Sequence, residues 1–146
     1  MIVKTEMLRS LSKTVAMVDG SFDPIHEGHI VYFQAAADLG YPVLCNVAPD
    51  TWTSKKHRVL LSQNQRSIVI DALRCIQFVH AAQIPTVDVL RMLQPIFYLK
   101  GSDWKNRGGI PREEQQACEE IGIEVRYLDT ILNSSSELIK KWNENQ

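Results

Sequence analysis

Short apolar, largely β-branched runs recur along the chain at 15–18, 43–47, 76–79, 96–99 and 123–128, and longer stretches at 30–39, 63–73, 86–93 and 112–121 lie between them. The runs have strand length. The longer stretches set apolar residues three and four apart, the spacing of one buried helix face. Strands that alternate with helices pair in parallel through right-handed crossovers. The pattern therefore predicts an α/β protein with a Rossmann-like, doubly wound, five-stranded parallel sheet covered by helices on both faces. No internal repeat, low-complexity tract or Pro/Gly/Ser linker interrupts it, and 146 residues are expected to form a single domain, 1–146.

Sheets of this kind bind ligands beyond the carboxyl ends of their strands, where the strand order reverses. The loops after the strands are thus the places to look. After the first comes Asp19-Gly20-Ser21-Phe22-Asp23-Pro24-Ile25-His26-Glu27-Gly28-His29, after the fourth Lys100-Gly101-Ser102-Asp103-Trp104-Lys105, and after the fifth Asn133-Ser134-Ser135-Ser136-Glu137. Three polar, turn-rich loops on one sheet edge point to a site more strongly than any one alone.

Composition narrows the classes of function. Sixteen Lys and Arg against seventeen Asp and Glu leave a formal charge of −1, without the basic excess expected of a nucleic-acid-coating or membrane-surface protein. Cys45, Cys75 and Cys118 are odd in number and widely spaced, which indicates neither a disulfide framework nor a zinc site and fits a reducing cytoplasm. No stretch approaches the roughly 20 apolar residues of a membrane span, and residues 1–9 lack the apolar run of a signal peptide.

His26 and His29 stand three apart at a strand-to-helix turn with Gly28 between them. That spacing lets two imidazoles face one way beside a helix N-terminus, whose unpaired N–H groups and partial positive charge favour phosphate. A metal pair or two hydrogen-bonded turn histidines would show the same spacing, although His57 and His80 lie in unrelated segments and offer no third ligand nearby. Ser134-x-x-Glu137 has the capping-box pattern of a helix start, and such an N-terminus is also an anion site.

The string Gly20-Ser21-Phe22-Asp23-Pro24-Ile25-His26-Glu27-Gly28-His29 resembles the Gly-x-Phe-Asp-x-x-His-x-Gly-His signature of the cytidylyltransferase-like nucleotidyltransferase superfamily. The resemblance extends over nearly the whole chain. Lys55-Lys56 and Gln65-Arg66 are similar to the superfamily's lysine and Gln-Arg positions. Leu99-Lys100-Gly101-Ser102-Asp103-Trp104 is similar to the equivalent segments of the heptose-1-phosphate adenylyltransferases and the glycerol-3-phosphate cytidylyltransferases, and Ser134-Ser135-Ser136 with Lys140-Lys141 resembles the Ser-Thr-Thr helix start of the former. Asp129 stands where the glycerol-3-phosphate enzymes carry an arginine, and residues 6–12 resemble a short helix of the heptose enzymes, so the heptose group is favoured.

The resemblance implies a nucleotidyltransferase moving a nucleoside monophosphate from a triphosphate, ATP before CTP, to a small phosphorylated sugar such as a heptose 1-phosphate. Pyrophosphate is released, and the Mg²⁺ required is held mainly by the triphosphate rather than by a protein site. A CTP-dependent enzyme acting on glycerol 3-phosphate or another polyol phosphate is the nearest alternative, and a non-catalytic nucleotide-binding regulator the alternative of another class. It also implies catalytic roles for His26, His29, Lys55 and Arg66, with Lys55 preferred over Lys56. Nucleotide contacts would come from Gly20, Ser21, Phe22, Asp23, Gly28, Lys56, Lys100, Gly101, Asp103, Trp104, Ser134, Ser135 and Ser136. A homodimer is compatible with the resemblance, and the sugar kinase fused to many of the heptose enzymes is expected here to be a separate protein.

Overall fold

A computed structural model describes residues 1–130 and 135–146, the side chain of Ser136 excepted. Six strands form one parallel sheet: β1 (Ile2–Val3), β2 (Ala16–Gly20), β3 (Val43–Val47), β4 (Phe78–Ala81), β5 (Phe97–Gly101) and β6 (Glu124–Leu128), in the spatial order β1-β4-β3-β2-β5-β6. The expected five strands are all present, and the sixth corrects the count. β1 is two residues long, too short for any periodicity to register, and is fixed by pairing Ile2 with Val79 and Val3 with His80. The terminal ammonium reinforces that edge through an ion pair with Asp71.

The helices are α1 (Glu27–Ala37), α2 (Asp50–Thr53), α3 (Gln63–Asp71), α4 (Thr86–Leu93), α5 (Ser102–Asn106), α6 (Arg112–Ile121) and α7 (Ser135–Glu144), and a 3₁₀ segment spans Thr5–Leu11. Side chains alternate across each strand, so β2 feeds two cores. Ala16 and Val18 pack with Phe33 and Ala36 of α1 and Ile70 of α3 on one face. Val15 and Met17 pack with Leu90 and Leu93 of α4, Cys118 of α6 and Leu8 of the 3₁₀ segment on the other. Among the described residues no helix is long and apolar enough to cross a membrane.

Strand order places the crevice. From β2 the chain builds outward through β3 and β4 on one side, then crosses back to lay β5 and β6 on the other. The connections after β2 and β5, neighbouring strands whose carboxyl ends are Gly20 and Gly101, thus depart to opposite sides and leave a gap between them.

Candidate active site

A cavity of 420 Å³ fills that gap, within the usual range for small-molecule sites. Gly20 to Asp23, His26, Gly28, His29, Lys56, Lys100, Gly101, Asp103, Trp104 and Ser135 all line it, together with Asp19, Tyr32, His57, Arg107 and Thr130.

The β2–α1 turn is held from below. Phe22 has a left-handed backbone (φ 55°) that drives its ring into the core, edge-on to His29 and Phe33 with centroids 5.0 and 5.1 Å away. A Cβ on Gly20 would lie 3.0 Å from that ring, which explains the glycine. Asp23 is fully buried, and its carboxylate accepts from the amides of Leu60 and Leu61 at 2.8 and 2.9 Å. Phe22 and Asp23 touch the cavity but chiefly fix the turn that carries the histidines.

His26 caps α1. Its Nδ1 accepts from the Gly28 amide at 3.0 Å, and the His26 amide donates to His29 Nδ1 at 3.2 Å. Two backbone donors thereby occupy both Nδ1 atoms, so in each neutral ring the proton must sit on Nε2. The rings lie 4.0 Å apart between centroids, tilted by 32°. Among the described residues His26 Nε2 is buried without a partner, as is Ser21 Oγ, another atom of a cavity-lining residue. Desolvation lowers the pKa of His26, and desolvation with the neighbouring His26 brings that of His29 down to about 3. Both imidazoles are therefore neutral hydrogen-bond donors at physiological pH in the unliganded protein.

The opposite wall is cationic. Lys100, only 5% exposed, ion-pairs with Asp19 and lies 4.5 Å from the centroid of the Trp104 ring, with Arg107 5.3 Å from the same ring. Lys56 adds a third cation whose pKa is lowered, chiefly by desolvation and then by the Lys100 ammonium. A Cβ on Gly101 would lie 2.7 Å from Asp103 Oδ1, so a side chain there would require the Asp103 carboxylate to turn away.

Two of the residues expected to be catalytic stand outside the cavity lining. Lys55 does not line the cavity; its ammonium lies 4.9 Å from the Trp52 ring centroid, and Lys56 is the lysine that faces the gap. Adjacent residues after a one-turn helix diverge in direction, which their order in the sequence does not reveal. Arg66 also lies outside the cavity lining. It is 1% exposed and donates to the carbonyls of Ser21, Ala48 and Leu61 at 2.6, 2.9 and 3.0 Å and to Asp50 at 2.6 Å. Its guanidinium ties the histidine turn to α2 and the start of α3, so it acts beneath the site.

Ser135 donates to the Pro24 carbonyl at 2.7 Å, docking the N-terminus of α7 on the histidine turn. Ser134 and the side chain of Ser136, and with Ser134 the capping box, lie outside the described residues. Asp19, Tyr32, Arg107 and Thr130 belong to the wall and were missed as site residues. Asp19 follows Val18 at the strand end and could have been found from its place in the first loop, whereas Arg107 and Thr130 carry no motif.

Paired imidazole donors, a helix N-terminus and three cations around one crevice make this an α/β protein whose cavity faces its occupant with hydrogen-bond donors and positive charge. The model of the cytidylyltransferase-like family matches residues 17–141, and the chain belongs to that family of nucleotidyltransferases. The bifunctional protein HldE of Syntrophotalea carbinolica is 31% identical over 130 residues, 86% of this chain and 26% of that protein. The bifunctional protein HldE of Geobacter sulfurreducens is 28% identical over 142 residues, 93% of this chain and 29% of its own length. The chain thus spans less than a third of these relatives. The fold is shared with a lipopolysaccharide core biosynthesis protein from Thermoplasma volcanium (TM-score 0.65, 22% identity, 82% of this chain and 98% of that one). It is shared also with the pantoate-beta-alanine ligase of Francisella tularensis (TM-score 0.64, 12% identity, 100% of this chain and 73% of that one).

Proposed function

We propose that the chain transfers a nucleoside monophosphate from a nucleoside triphosphate, ATP in preference to CTP, to a small phosphorylated sugar of the heptose 1-phosphate kind, releasing pyrophosphate. The observation that carries this reading is the buried His26 Nε2 beside His29, an N–H donor that no group among the described residues receives. The likeness to the HldE proteins supports the sugar phosphate as acceptor.

In this reaction an acceptor phosphate oxygen attacks the α-phosphorus, and the bond to the bridging oxygen of the departing pyrophosphate breaks. The attacking phosphate is already ionised near neutral pH, so no general base is needed and the protein works by alignment and charge stabilisation. The two Nε2–H groups meet oxygens on which charge gathers, and Lys56, Lys100 and Arg107 hold the two phosphate-bearing substrates against each other's repulsion. Neutral imidazoles suit this role, because a donor that stays neutral when empty incurs no penalty of unpaired buried charge.

The donor set also bears on the metal. The described residues hold no group of three or more His, Cys, Asp or Glu side chains placed to bind an ion, and Asp19 is engaged by Lys100. A Mg²⁺ ion would therefore be carried mainly by the triphosphate, and would supply charge neutralisation there.

The test is pyrophosphate release with Mg²⁺, each of ATP, CTP, GTP and UTP being paired with heptose 1-phosphates, other sugar phosphates and glycerol 3-phosphate. Release with ATP and a heptose 1-phosphate is expected. Release only with CTP and a polyol phosphate overturns the substrate assignment, and release with no pair overturns the catalytic one.

A further inference from the structure

Behind the cationic wall, a chain of buried and half-buried polar groups runs from the cavity towards the second core. Asp19 ion-pairs with Lys100. Tyr98, fully buried on β5, places its Oη 3.3 Å from each Asp19 carboxylate oxygen and 2.5 Å from Glu114 Oε1 on α6. Neither Tyr98 nor Glu114 lines the cavity.

A phenol has one proton to give. At these distances it goes to Glu114, and the Asp19 carboxylate is left to the Lys100 ammonium. Without an acceptor at position 114, that proton turns to Asp19, the other oxygen group within reach, and competes with Lys100 for the same carboxylate. We propose that Glu114 is a positioning residue: by accepting the Tyr98 proton it keeps Asp19 free to hold Lys100 over the Trp104 ring at the cavity wall. The carboxyl is thereby linked to substrate binding without touching substrate. Glu114 is half-buried, and desolvation holds its carboxyl above its ordinary range.

This proposal rests on the reading of the cavity as a phosphoryl-transfer site, and its test separates the two. Four variants, Glu114→Gln, Glu114→Leu, Tyr98→Phe and the double Glu114→Leu/Tyr98→Phe, are compared by KM and kcat for both substrates. They are compared also by the ¹⁵Nζ signal of Lys100 in lysine-labelled protein, which needs no turnover. Glu114→Gln still accepts the phenol proton and should stay within about twofold of the native chain. Glu114→Leu should raise KM for a phosphorylated substrate about tenfold, the size of one charge-assisted hydrogen bond, with kcat changed less. It should also lose the slowly exchanging Lys100 ammonium signal. In the double variant the competing hydroxyl is gone, so both KM and the Lys100 signal should return towards those of Tyr98→Phe. A double variant as impaired as Glu114→Leu, or worse, means that Glu114 serves packing alone and overturns the proposal. If the native chain releases no pyrophosphate, the functional reading fails while the Lys100 signal still decides this one.

Discussion

Replacing Arg66 by Met tests whether this arginine works beneath the site or within it. The guanidinium donates to three backbone carbonyls, those of Ser21, Ala48 and Leu61, and to Asp50. Methionine fills much of the volume but leaves the three carbonyls without that donor. Each buried acceptor stripped of its partner costs about 1–3 kcal/mol. The Asp50 side chain is 48% exposed and finds water, so its ion pair is discounted. Relaxation and entering water bring the sum to the low end, about 3–5 kcal/mol, in line with breaking a buried pair on one side. For a domain of this size that is a fall in Tm of about 6–20 °C. Thermal melts read by circular dichroism measure it, together with the affinity for a triphosphate. Arg66→Lys keeps the charge but cannot reach four acceptors and should lose at least half as much. A Tm within about 2 °C of native, with triphosphate binding abolished, would mean that the guanidinium acts on ligand and would refute the structural role.

Other expectations are equally direct. His26→Ala and His29→Ala should each retain the fold and lower kcat by about 10²–10³, the effect of removing one oriented donor; circular dichroism with steady-state pyrophosphate release checks both. Lys56→Met should raise KM for a phosphorylated substrate about tenfold, whereas Lys55→Met, whose side chain stacks on Trp52, should change it less than twofold. His80, buried between Asn46 and Thr5, has its pKa lowered to about 4, and that of His29 is lowered to about 3. The unfolded chain therefore binds these protons first as pH falls below about 6.5, so the stability is present above that value and is lost towards pH 4. The loss is about 1.4 kcal/mol per pH unit for each group, and His80→Gln should remove one group's share of the slope in urea melts from pH 7 to 4.5.

Much of the fold was legible because periodicity survives packing. Apolar spacing ended two helices at the residues where α4 and α6 end, and located β3 at Val43–Val47. β1 was not legible, since a two-residue strand exists only through its partner Val79–His80. At the site, the first loop was readable because backbone geometry there needs particular residues: Gly20 under the Phe22 ring, and histidines whose Nδ1 atoms meet amides. Side-chain direction in the segment after α2 was not, and Lys56 rather than the preferred Lys55 lines the cavity. Arg66 sits in a polar stretch that reads as solvent-facing, and only the fold shows the carbonyls converging on it. The Tyr98–Glu114 pair joins residues sixteen apart on different elements and leaves no local pattern at all.

The central claim is that both imidazoles present Nε2–H to a triphosphate in the cavity. The most direct measurement is two-dimensional ¹H–¹⁵N correlation of the histidine side chains, taken without ligand and with a non-hydrolysable ATP analogue and Mg²⁺. The account predicts neutral Nε2–H tautomers for His26 and His29 in the free protein at pH 7 and clear movement of both Nε2 signals on saturation. Nδ1–H tautomers, or signals that none of the four nucleoside triphosphates moves, would contradict it.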